Sequence, residues 1–278
     1  MTKLGLGLSA SLLLITIAAG VQGQQQNTAS NPGELTNVIQ RVKNAYVGAA
    51  DAALLTSYQQ DLEVYVPGAY PNERSELLKK ATEILKNGVK IIIVYRAPDK
   101  SVLILGFGER RLIQGISGAS TWQVRLQPAD SGVPTREVSG LSAARAGMMR
   151  ISEDSSIQAF IRLLYEATDQ SLRLFKVRHD KPYWVVTWTQ GSVTNDLYFS
   201  EENWLCEKHV RKTPEGVARI YYSDYRPEKG ILLPHKIEIR NAQDSVFATQ
   251  VIEHWDLGKK WPDEFFTAEG VRVPGDLK

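Results

Sequence analysis

The sequence predicts an α+β fold whose main layer is a strongly curved antiparallel sheet. Two observations carry the prediction. From Gln170 onward the chain reads as seven β-rich runs, each followed by turn residues, which is the pattern of a meander. A sheet built of hairpins curves strongly if it is to cover its own apolar face. The second observation is that the segments with helical period are few and lie before this meander. The single cysteine, Cys206, excludes an intramolecular disulfide, so buried apolar surface must hold the fold. The 278 residues, even less an N-terminal leader, are enough for that in one domain or two closely joined ones.

The elements follow in order. Residues 1–23, MTKLGLGLSASLLLITIAAGVQG, have one positive charge at Lys3, an apolar run and small residues at Val21 and Gly23. This is the pattern of a secretory signal peptide, with cleavage expected after Gly23. No cysteine stands at that site, so no lipid anchor is expected. No later stretch approaches the roughly 18 apolar residues of a membrane span. Residues 24–30 read as a flexible lead-in, and 31–278 as one domain. Asn31 offers a cap with Pro32 at the first helical position, and Leu35, Val38, Ile39, Val42, Ala45 and Tyr46 share one helix face.

A first strand is expected in 56–66, a second helix in 75–88 stopped by Asn87 and Gly88, and strands in 89–96, 101–108, 110–116 and 120–127. The region 128–150 reads as irregular. Ser155 or Ser156 then caps a helix that buries Ile157, Phe160, Ile161 and Leu164. The meander contributes SLRLFKVR, YWVVTWTQ, TNDLYFS, LCEKHVRK, ARIYYSDYR, ILLPHKIEIR and VFATQVIEHWDL. In RPEKG, Pro227 and Gly230 are expected to set the turn angles.

Charge narrows the function. With Lys3 removed, basic residues exceed acidic ones by one, which argues against nucleic acid or an anionic surface as the main partner.

The candidate chemical motifs are weak. GISGAS places Ser117 two after Gly115, but Ala119 stands where a nucleophile elbow needs glycine, and a strand follows instead of a helix. GFGERR has Arg111 where a dinucleotide loop needs its third glycine. Cys206 and His209 have metal-ligand spacing, yet residues three apart on a strand point to opposite faces. His235 shares a strand face with Ile231, Leu233, Ile237 and Ile239, has no nucleophile nearby in sequence, and has His254 on the next strand as its best distant companion. It reads as a neutral ring at the core edge or as a catalytic base. Trp184, Val186 and Trp188 share one face while Tyr183, Val185 and Thr187 share the other, so this strand is expected between two layers, as core or as ligand lining. Tyr221, Tyr222 and Tyr225 are expected to split between faces. No clustered polar set indicates an enzyme, and no cofactor or metal is expected.

The order of elements, the Gly-x-x-x-Trp motif from Gly118 to Trp122, and Tyr-x-Asp-Tyr-Arg-Pro-x-x-Gly-x-x-x-Pro-His from Tyr222 to His235 resemble the LolA/LolB-like periplasmic half-barrel superfamily. Ser117 stands where the family has an acidic residue, and no arginine aligns with the basic gating residue of the true carriers. The resemblance implies an incomplete antiparallel barrel lidded by helices, with an apolar cavity between them. It implies a monomeric periplasmic carrier for acyl chains, lipoprotein or another hydrophobic ligand, touching a membrane transiently at most. The alternative is an interaction or envelope-sensing module that docks another envelope protein; a hydrolase is a third reading. On the carrier reading, Trp184, Trp188, Tyr222, Leu233, His235 and Ile237 line the cavity.

Overall fold

The computed structural model describes residues 32–66, 83, 86–128, 135–154, 156–166, 172–178, 181–214, 216–240 and 244–273. The expected signal peptide and lead-in, Asn31, and nearly all of the helix expected at 75–88 lie outside them. Helix α1 (Pro32–Tyr46) buries Val38, Val42 and Tyr46 at the expected spacing. A 3-10 turn, Ala52–Thr56, is capped by Asp51, whose side chain accepts from Ala53 N. Then come β1 (Ser57–Tyr65), β2 (Val89–Arg96), β3 (Lys100–Phe107), β4 (Arg110–Ser117) and β5 (Ser120–Gln127).

The region expected to be irregular holds two further elements, strand β6 (Thr135–Ser139) and helix α2 (Ala143–Asp154). All five β6 residues are exposed, so the strand has no buried alternation to betray it. Helix α3 (Ile157–Glu166) is capped by Ser156, whose hydroxyl accepts from Ala159 N at 3.0 Å. Seven strands follow as expected: β7 (Arg173–Arg178), β8 (Pro182–Gln190), β9 (Val193–Ser200), β10 (Cys206–Thr213), β11 (Gly216–Glu228), β12 (Ile231–Arg240) and β13 (Val246–Leu257).

These strands form one 13-stranded antiparallel sheet in the order β6-β5-β4-β3-β2-β1-β13-β12-β11-β10-β9-β8-β7. It curves without closing into a barrel. The sheet is two meanders laid side by side, joined where β1 pairs with β13, from Tyr58 against Leu257 to Tyr65 against Thr249. Among the described residues no helix is long and apolar enough to cross a membrane.

Strand alternation sorts the side chains into two cores. On the concave face, Tyr58, Leu62, Ile91, Leu105, Trp188, Tyr222 and Ile252 pack with the buried residues of α1 and α3. On the convex face, Ile92, Val94, Val102, Ile104, Ile113, Trp122 and Val124 are covered by residues 261–273, with Phe265, Phe266, Ala268 and Val271 buried. Trp122 fixes that segment, donating from Nε1 to Phe266 O at 3.0 Å. Its ring lies across Gly115, where a Cβ would come within 2.1 Å of it, so the glycine is required by close approach. Asp263, at the start of a short 3-10 turn, is held by Arg96 and Lys100.

The last meander departs from regular strand geometry at its β11–β12 turn, within β11, in β10 and in β13. The β11–β12 turn is Lys229–Gly230, both with positive φ (49° and 84°), so Pro227 lies inside β11 and Lys229, not Pro227, supplies the second special angle. Asp224, in mid-strand, has φ 53°. A bulge interrupts β10 between Cys206 and Lys208.

Candidate functional site

The concave face is built from the elements that cover it. Tyr46, at the end of α1, reaches the sheet and enters a closed ring of hydrogen bonds. Cys206 N donates to Tyr46 Oη at 2.9 Å, Tyr46 Oη lies 3.0 Å from Tyr225 Oη, and Tyr225 Oη donates to Cys206 O at 2.6 Å. Because the backbone groups fix both ends, Tyr46 must donate to Tyr225. Burial raises the phenol pKa of both tyrosines and pushes the Cys206 thiol up, so all three stay neutral.

Tyr225 is available only because Asp224 breaks the alternation. Parity would place Tyr222 and Tyr225 on opposite faces, but both belong to the concave core, while Tyr221 packs outside under Arg240 at 4.5 Å. The β10 bulge acts in the same way. Cys206 and His209, expected on opposite faces, are both fully buried on the concave side. The Cys206 thiol donates to Lys208 O, and among the described residues no group of three metal-ligating side chains is found.

His209 lies between two rings, Trp188 at 6.2 Å and Tyr222 at 6.4 Å. Its Nε2 is 2.9 Å from Asn195 Oδ1 and its Nδ1 3.3 Å from Tyr222 Oη. Burial, with Arg211 adding repulsion, pushes its pKa down to about 3, so the ring is neutral. Above Trp188, Phe160 of α3 stacks at 5.2 Å and also meets Phe199 at 5.6 Å. The helix thus plants an aromatic on β8 and β9, near the β7 edge of the sheet.

The six residues expected to line a cavity separate into two groups. Trp184, Trp188, Tyr222 and Leu233 are buried in the concave core, and Ile237 is half-buried against it. Lys176 lies 4.6 Å over the Trp184 ring. His235 is buried too, but its ring is committed: Nδ1 is 2.9 Å from Ile252 O and Nε2 2.9 Å from Glu228 Oε1. It fills the place where β12 and β13 part, since their register ends at Lys236. His254 is not its companion, because β13 bulges between Ile252 and His254 and leaves His254 exposed. Ser117 ends β4 beside the Gly118 turn, with no histidine or acid bonded to it among the described residues.

A polar group that sequence reading missed lies over the other meander. Arg145 of α2 is 7% exposed and donates through Nε (2.9 Å) and Nη2 (2.7 Å) to Gln114 Oε1 on β4. Gln114 Nε2 donates in turn to Gln123 Oε1 on β5 at 2.9 Å. Burial lowers the guanidinium pKa. One glutamine inside an apolar strand was the only sequence signal, and it did not name its partner.

No family model matches the sequence, and no curated protein matches it. Solved structures do resemble it. A LolA superfamily protein from Nitrosomonas europaea shares 16% identity over 84% of this chain and 96% of its own, with a TM-score of 0.50. A DUF1329 family protein from Desulfovibrio piger shares 8% identity over 87% of this chain and 100% of its own, also with a TM-score of 0.50. At these identities the likeness speaks for the fold alone.

Proposed function

We propose that this chain, whose fold is LolA-like, is a periplasmic binding or carrier protein that takes an acyl chain or other hydrophobic ligand between sheet and helices. The observation that supports it is the apolar, aromatic concave face spanned by α1 and α3, with Phe160 seated on Trp188. Displacing such a helix side chain by an acyl chain exchanges one apolar contact for another, so uptake is driven by the extra area buried, at about 25 cal/mol per Å² less the ordering cost. The chain acts without turnover on this reading: the buried polar groups Tyr46 and Tyr225 bond each other and the Cys206 backbone, His209 bonds Asn195 and Tyr222, and His235 bonds Glu228 and the Ile252 carbonyl. Delipidated protein is expected to take up a fluorescent fatty acid, and no binding at high micromolar concentration would sink the proposal.

A second reading is an interaction module, favoured by the open edge strand β6. All five of its residues are exposed and Val138 is 51% exposed, which suits pairing with a strand of another envelope protein. Recovery of one stoichiometric protein and no lipid from envelope extract would favour it over the carrier.

A further inference from the structure

Arg145 is a buried cation whose only acceptor among the described residues is a neutral amide oxygen. Its two bonds converge on a single atom, Gln114 Oε1, and that glutamine is itself held by Gln123. The remaining nitrogen, Nη1, is buried with no partner among the described residues. A guanidinium in this state is costly, because no opposite charge among the described residues offsets its desolvation. Its position adds to the cost. Ser142 Oγ accepts from Arg145 N at 3.2 Å, so Arg145 lies in the first turn of α2, where the helix dipole favours an anion and disfavours a cation. The donor nitrogens and the helix terminus together make a place that is electropositive, dry and short of one acceptor.

We propose that Arg145, oriented by Gln114 and Gln123, is the headgroup site of the concave face, so that the ligand is an anionic amphiphile whose carboxylate or phosphate oxygen accepts from Nη1. This rests on the carrier reading and narrows it: the apolar face takes the chain and Arg145 takes the charge. Arginine suits the task because its planar fork can bond Gln114 on one edge and an oxyanion on another. Lipoproteins and neutral lipids lack such a group at the acyl end and would bind without using it.

The test is displacement of the neutral fluorophore N-phenyl-1-naphthylamine from delipidated protein by dodecanoate and by 1-dodecanol, in wild type, Arg145→Gln and Gln114→Glu. Wild type is expected to prefer dodecanoate by at least about tenfold, the scale of one charge-assisted hydrogen bond. Arg145→Gln is expected to bring the two ligands within about twofold while leaving dodecanol unchanged. Gln114→Glu keeps Arg145 but supplies an internal carboxylate, so it is expected to raise Tm and remove the preference; this variant serves if Arg145→Gln fails to fold. A Tm change in Gln114→Glu with the preference intact would mean that Arg145 is structural only. Equal displacement by both ligands in wild type overturns the headgroup site and leaves the carrier reading standing; displacement by neither overturns both. Inorganic phosphate that raises the wild-type Tm while dodecanoate shows no preference assigns the site to a free oxyanion and overturns the amphiphile.

Discussion

Tyr46 and Tyr225, 179 residues apart, meet edge to face with ring centroids at 5.9 Å and hydroxyls at 3.0 Å, and between them they hold both backbone groups of Cys206. The first helix is thereby fastened to the bulged start of β10, where the N–H and C=O of Cys206 lie beyond the β10–β11 ladder.

Tyr46→Phe leaves Cys206 N buried without an acceptor and is expected to cost about 1–3 kcal/mol. Tyr225→Phe should cost less, because the Cys206 carbonyl and the rotatable Tyr46 hydroxyl that it leaves unpaired are less costly than a fixed buried N–H. Urea unfolding midpoints of the two variants check the order; equal losses would show that the ring of bonds does not depend on the stranded donor.

His209 makes stability depend on pH in one direction. Its folded pKa, about 3, lies below the ordinary value near 6.5, so the unfolded chain binds a proton that the folded chain refuses. The stabilisation is therefore complete above pH 6.5 and lost as pH falls toward 3, with a slope of about 1.4 kcal/mol per pH unit. His209→Gln should lose that part of the slope between pH 6 and 4. Unfolding curves across this range decide it, and an unchanged slope would place the titration elsewhere.

Gly115→Ala drives a methyl group into the Trp122 indole, so the ring must move off the sheet. Overpacking of this kind costs about 1–3 kcal/mol. Loss of the Trp122–Phe266 hydrogen bond should appear with it, as a shifted tryptophan emission and a lowered Tm.

Phe160→Ala removes the aromatic that α3 seats on Trp188 and is expected to lower stability by about 3–5 kcal/mol. If acyl chains enter where Phe160 now sits, the folded variant should take up a fluorescent fatty acid several-fold more tightly than wild type. Weaker uptake by folded protein would move the ligand away from Trp188.

The strand runs were legible because their alternation is an inner-outer code read two residues at a time, and the seven runs from SLRLFKVR onward appear as β7–β13. That code fails wherever one residue is out of step. Asp224 turns Tyr225 inward, the β10 bulge brings Cys206 and His209 to the same face, and the β13 bulge sends His254 out; none of these carries a glycine or proline to mark it. β6 was missed because an edge strand with no buried residue has no alternation to show. Arg145 and Gln114 are 31 residues apart on different kinds of element, so only the assembled fold brings the charge to its acceptor.

The seam between β1 and β13 governs the order in which the molecule can be assembled. Ser57 donates to Lys259 O at 2.7 Å, a contact 202 residues long. Each meander can form from neighbouring hairpins as its residues become available, but the first keeps a raw edge along β1 until the last strand of the sheet arrives. Such a long loop closure slows folding and leaves a pairing edge exposed in the meantime. Completion thus waits on the arrival of β13, and a chain stalled before Val246 would have two half-sheets and nothing to stitch them together.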